Sequence, residues 1–208
     1  ASDAIFTIAD LIVTSPNGGE VWQAGSSSNP ITWVFVGSAG VGKVTISYST
    51  DSGSTWTVYN NNVDNQQGPN SYSWTVPFAP SDNIRVKVAD NTVGSTMADS
   101  SDSNFSIAGV KVTLPNGSET YGIDSANFIR WTANNAGDTG ALYYSIDGGS
   151  TWSSSPIVGA EEVLLSQGTT GFSWTPSNDP GTVPTVQARV KVVALAPASD
   201  ANPPVPLS

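Results

Sequence analysis

The chain repeats itself at a spacing near 100 residues. Pro16 returns as Pro115, 99 positions on, and Trp33 in ITW returns as Trp131 in IRW, 98 on. Trp56 in YSTDSGSTW and Trp152 in YSIDGGSTW are 96 apart, and Trp74 in YSWTVP and Trp174 in FSWTP are 100 apart. Arg85-Val-Lys-Val88 and Arg189-Val-Lys-Val192 are 104 apart. A drift of a few residues is what loops absorb and strands do not. The fold must therefore be one that about 100 residues can form, used twice.

The phase of the repeat carries a second constraint. Ala1–Asp10 reads ASDAIFTIAD and Asp102–Gly109 reads DSNFSIAG; LIVTSPNGGEVW follows the first and VKVTLPNGSETY the second. The chain thus opens with a copy of a segment that elsewhere closes a repeat. Short alternating stretches broken by Pro, Gly, Asn and Asp predict strands, and no amphipathic helix of useful length is visible. In the first repeat strands are predicted near Leu11–Ser15, Ile31–Val36, Lys43–Ser49, Trp56–Tyr59, Ser71–Val76, Ile84–Ala89 and Asn104–Ile107. Seven such strands suit a small immunoglobulin-like sandwich, with alternate residues and the repeated tryptophans in its core. In the second repeat they are predicted near Lys111–Leu114, Phe128–Ala133, Ala141–Ile146, Trp152–Ile157, Gly171–Thr175 and Val186–Val193. That makes six. The stretch ALAPASDANPPVPLS after them holds four prolines, and proline cannot donate to a ladder. The expected fold class is all-β: residues 1–9 a donor strand, 10–108 one immunoglobulin-like sandwich, and 109–208 a second that lacks its last strand.

A sandwich without an edge strand leaves unpaired backbone groups beside an open apolar groove. Burying the Phe and Ile of such a strand is worth roughly 1.5–3 kcal/mol each. Only Ala9-Asp10 links Ile8 to the strand at Leu11, so the leading segment runs nearly straight into it and projects away from the second domain. A strand of about ten residues spans ~33 Å, which disfavours self-closure. The expected solution is strand donation in trans. Ala4, Ile5, Phe6, Thr7 and Ile8 of one copy enter a groove formed by Val112, Leu114, Arg189, Val190 and Val192 of another. Phe6 and Ile8 are the anchors, and Ile5 faces another surface. The contact joins unlike surfaces and does not close on itself, which yields an open head-to-tail homopolymer.

Composition narrows the function classes. A net charge of −10 with only seven Lys and Arg argues against a nucleic-acid partner. Cys and His are both absent, so the chain has no disulfide, no thiol nucleophile, no Cys-ligated metal and not the commonest general base. No apolar run is long enough to span a bilayer. The low charged fraction of 12 %, with abundant Ser, Thr, Asn and Gly, suits an extracellular β protein. No catalytic residues, cofactor or metal are expected.

Several motifs compete with that reading. Ser49–Trp56 and Ser145–Trp152 look like the Asp-box hairpin of sialidase-type propellers, in which Asp caps the turn and Trp packs beneath. A propeller needs copies every 40–50 residues or so, so a structural hairpin is the preferred reading over a glycosidase. The tryptophans are candidates for sugar stacking, yet six of the seven pair across the repeats, as core residues do. Asp90, Asp99 and Asp102 are a candidate Ca²⁺ cluster without the spacing of a dedicated loop. Asn116-Gly-Ser118 fits the N-glycosylation pattern, but the same PNG turn recurs at Pro16 without an acceptor.

The run PNGGEVW…ITW…YSTDSGSTW…YSWTVP…IRVKV resembles the immunoglobulin-like repeat domains of bacterial surface and secreted proteins. It is also similar to the domain of fungal Ser/Thr-rich, lipid-anchored cell-wall proteins. The resemblance implies an extracellular, cell-surface adhesive or structural module without catalytic residues, and the expected assembly is similar to that of donor-strand pili. The alternatives are a spacer or adhesion module of a longer surface protein, or a carbohydrate-binding module that meets surface glycans.

Overall fold

A computed structural model describes residues 10–37, 42–92, 95–165 and 168–195 (of 168–170 the backbone only). The leading segment 1–9, with Ala4–Ile8, and the tail from 196 onward lie outside the described residues. The strand pairs β1–β3, β3–β6, β4–β5, β4–β7, β7–β8, β7–β9, β9–β10, β10–β13, β11–β12 and β11–β14, defined below, are antiparallel, and no α-helix occurs among the described residues. The chain divides into two compact units, Ala1–Ile107 and Ala108–Ser208.

In the first unit, β1 (Asp10–Ser15), β3 (Ile31–Val36) and β6 (Gly68–Tyr72) form a sheet in the order β1-β3-β6. A second sheet carries β4 (Gly42–Ser49), β5 (Thr57–Asn65) and β7 (Ser81–Asp90), in the order β5-β4-β7. On its far side β7 meets β8 (Ala98–Ser100) and the opening residues of β9 (Phe105–Leu114), and β9 meets β2 (Val21–Gln23). Period-2 patterning builds the core between the sheets. Ile31, Trp33 and Phe35 alternate inward on β3, and Ile84, Val86 and Val88 on β7 are each 0 % exposed. Phe105 and Ile107 complete this core.

The second unit repeats the plan. Gly109–Leu114 of β9 pairs β10 (Asn127–Asn134), which pairs β13 (Gly168–Trp174). The other sheet has the order β12-β11-β14, from β11 (Thr139–Ser145), β12 (Val163–Leu164) and β14 (Arg189–Ala194). Both units are thus sandwich-like.

Local chemistry explains where the elements depart from the strands read in the sequence. Trp152–Ile157 is not a strand: Pro156 removes a donor, and the segment follows β11 through isolated bonds, Ser153 N–H to the Tyr144 carbonyl and Ile157 N–H to the Leu142 carbonyl. β6 stops at Tyr72, because Val76 exchanges backbone hydrogen bonds with the turn at Gly25 and Ser26 instead. β2, β8 and β12 are two or three residues long, too short to show a period. Five tryptophans are buried, but Trp56 and Trp152 are only half-buried and lie under Lys87 and Lys191, whose ammonium groups sit 4.4 and 4.5 Å from the ring centroids. One buried pair differs between the copies. Trp33 Nε1 donates to Asn65 at 2.8 Å, whereas Leu165 takes the place of Asn65 in the second unit and Trp131 Nε1 has no partner among the described residues.

Candidate functional site: the open edge of the second unit

The two units are close enough copies to serve as each other's control. Ser49 Oγ donates to Asp51 Oδ1 at 2.7 Å, and Thr55 N–H and Oγ1 donate to the same carboxylate at 2.8 and 2.6 Å. In the second unit Ser145 donates to Asp147 at 2.7 Å, and Thr151 donates to it at 2.9 and 2.6 Å. Gly53 (φ 93°) and Gly149 (φ 92°) take the left-handed turn position, each against the following tryptophan. Both motifs are therefore structural hairpins whose carboxylates are spent on the turn.

Those hydrogen bonds hold each carboxyl at about 2, against an ordinary value of 3.8; the Thr55 hydroxyl is the first cause for Asp51 and the Thr151 hydroxyl for Asp147. A lowered folded-state value means the ionised form contributes stability above about 3.8, and that contribution disappears as pH falls toward 2. Asp51→Asn with Asp147→Asn is expected to lower the melting temperature at pH 7 and to flatten its fall between pH 4 and pH 2, followed by circular dichroism. An unchanged acid limb would show that the hairpins do not titrate with folding.

Against this common frame, one edge differs. Val86 lies opposite Tyr48, and Val190 lies opposite Tyr144, in the same register of β7 on β4 and β14 on β11. β7 has strands on both sides. Among the described residues β14 has β11 alone. The burial follows: Val86 is 0 % exposed and Val190 half-buried; Val13 is 1 % exposed and its counterpart Val112 half-buried. Trp22 is 6 % exposed and its counterpart Tyr121 half-buried. In the first unit β8, Ser101 and β9 stand there: Asp99 accepts from Val13 N–H, Ser101 bonds to Val86, and Phe105 of β9 is 1 % exposed with its ring 5.2 Å from that of Trp22.

The structure brings the expected acceptor residues Val112, Val190 and Val192 together on the second core, Val192 within it and the other two packed against it. Leu114 is half-buried outside that cluster, and Arg189 is exposed, lying over Gly149. Tyr121 belongs to this surface too. It stands where Trp22 stands in the first unit, and that Trp22 meets Phe105 is visible only in the structure.

The other candidates are locally engaged. Asp99 accepts from Val13 N–H at 2.8 Å, Asp102 accepts from the Asn17 amide at 2.8 Å, and Asp90 accepts from Thr92. Among the described residues no three acidic groups are placed to share a metal ion. A cleft of the first unit, lined by Thr14, Thr32, Trp33, Asp64, Asn65 and Gln66 among others, has Trp33 as its one aromatic, and that ring is 1 % exposed. It offers no stacking platform for a sugar. No helix among the described residues is long and apolar enough to cross a membrane. No protein-family model matches the chain, and no curated protein matches it in sequence.

Proposed function

We propose that this protein is the structural subunit of an extracellular, pilus-like filament. Two immunoglobulin-like sandwiches form each subunit, and the segment Ala4–Ile8 of one copy adds as a strand to the β14 edge of the second sandwich of another. One observation carries this reading: at identical register Val86 is sealed from water and Val190 is not, and on that flank of β7 in the first unit stand Ser101, bonded to Val86, and β9, paired with Ile84, which together have the sequence pattern of segment 1–9. The alternation of Phe6 and Ile8 matches that of Phe105 and Ile107, so the same face of the donated strand meets the groove. Strand addition supplies backbone hydrogen bonds and apolar anchors together. On this reading the partner is the protein itself, no cofactor or metal takes part, and the protein is not an enzyme.

Light scattering over a range of concentrations, with electron micrographs of the same samples, tests the proposal. The expected result is a mass that grows with concentration and threads one subunit wide. A mass that stays at that of one chain throughout would leave a spacer or adhesion module in its place.

A further inference from the structure

Apolar alternation alone does not set where a donated strand stops. A slip of two residues keeps every side chain on its face. The first unit shows what prevents it. Ser101, 1 % exposed, accepts from Val86 N–H at 3.0 Å, donates its own N–H to the Val86 carbonyl at 2.9 Å and donates its hydroxyl to the Pro16 carbonyl at 2.7 Å. Next to it Asp102 and Asn17 exchange two hydrogen bonds: Asn17 Nδ2 donates to Asp102 Oδ2, and Asp102 N–H donates to Asn17 Oδ1, both at 2.8 Å. These bonds tie the start of the strand to the PNG turn, four residues ahead of Phe105.

Every receiving group recurs in the second unit. Pro16, Asn17 and Val86 become Pro115, Asn116 and Val190. The turn is also built alike: Glu20 accepts from the N–H of Asn17 and Gly18, and Glu119 from those of Asn116 and Gly117. Among the described residues the Asn116 side chain has no hydrogen-bond partner. A Ser-Asp pair with a Phe four residues after the Ser recurs at the head of the chain, where Ser2-Asp3 stands ahead of Phe6 as Ser101-Asp102 stands ahead of Phe105; the pair Ser199-Asp200 has Pro203 in that place. At Asn104 the copies differ: its Oδ1 accepts from Arg85 Nε at 2.8 Å, a bond Ile5 cannot offer the retained Arg189, while its other contact is given up on both sides. Asn104 Nδ2 donates to Ser52 Oγ at 2.8 Å, and the counterparts of that pair are Ile5 and Gly148, where an added side chain would meet open space.

Resting on the strand-donation reading, we propose that Ser2 and Asp3 form a polar latch that fixes the register of the donated strand on the second unit of another copy. Ser2 bridges the Val190 backbone and the Pro115 carbonyl, and Asp3 exchanges two hydrogen bonds with Asn116. The latch extends the contact four residues beyond the apolar anchors and makes it selective for this segment.

The test is a swap in the full chain, read as the lowest concentration at which filaments form. Asn116→Asp sets two carboxylates face to face and is expected to raise that concentration roughly tenfold. Adding Asp3→Asn to it restores a carboxylate–amide pair in reversed order and is expected to return the value to that of the parent. Melting of the second unit should be the same for Asn116→Asp and the parent below the assembly threshold. If Asn116→Asp is without effect, or the double variant is no better than the single, the latch is overturned. Phe6→Asp, run alongside, separates the two readings: loss of assembly there with no effect at Asn116 sinks the latch alone, and unchanged assembly there sinks strand donation.

Discussion

Phe6→Asp is expected to leave the protein monomeric at concentrations where the parent forms filaments. The physical reason is visible at Phe105, which occupies the equivalent place in the first unit. Its ring is 1 % exposed and tilts against Trp22, which in turn meets Trp74 at a 6.0 Å centroid distance. A carboxylate there would lose the burial of the ring, roughly 1.5–3 kcal/mol, and would have to be desolvated with no partner among Val112, Tyr121 and Val190. The threshold for assembly should therefore rise by roughly a thousandfold or more. Phe6→Leu, which keeps an apolar side chain, should weaken assembly far less. Sedimentation velocity on the three proteins decides the matter; equal polymer content in Phe6→Asp and the parent would mean that no ring is delivered to the groove.

The second large effect comes from moving the strand. A chain that begins at Asp10 and carries ASDAIFTIA after Ser208 should be a monomer whose second unit melts higher than that of the same chain without the graft. The reach is sufficient. In the first unit the excursion from Asp90 to Ser101 takes 11 residues, and 14 follow Ala194 before the graft would begin. Burial of one Phe and one Ile, at roughly 1.5–3 kcal/mol each, corresponds to a rise of about 10 °C or more for a unit of this size. Differential scanning calorimetry resolves the two units as separate transitions if they melt independently. Equal melting of the grafted and ungrafted chains would show that the β14 edge does not accept this strand.

The asymmetry between the units also bears on where stability resides. In the first unit β7 is closed on both sides, and a Ser hydroxyl and backbone amides satisfy the groups that face away from β4. In the second unit the equivalent groups of Val190 face away from β11, because the register opposite Tyr144 is the same as that of Val86 opposite Tyr48. An edge of this kind, with no strand beside it among the described residues, templates pairing with another chain.

Much of this architecture was legible from residues alone, and the reasons are specific. Ile31-Thr-Trp33-Val-Phe35 and Ile84-Arg-Val86-Lys-Val88 alternate with period 2, and β3 and β7 bury the side chains that this alternation selects. The two Asp-box hairpins were legible because the Ser, Asp, Gly and Thr of each act within a few residues of one another, so their hydrogen bonds are encoded locally. Trp56 and Trp152 were misplaced in the core because repetition alone does not distinguish an inner face from an outer one; the lysine across the strand pair settles it. The break at Trp152–Ile157 depends on one proline whose effect the matching stretch of the first repeat, which has none, conceals.

By itself the sequence determined that one domain is used twice, that each copy is made of strands, and that the pattern closing the first copy also stands at the head of the chain. Those are properties of order and period, which need no third dimension. Only the tertiary structure decided where the copies differ: that Val112, Tyr121 and Val190, 78 positions apart at the extremes, all pack against the second core and are half-buried there, while Val13, Trp22 and Val86 are sealed. Burial is set by what lies across a sheet rather than along a chain. The same residue type in the same register is therefore core in one unit and half-buried in the other.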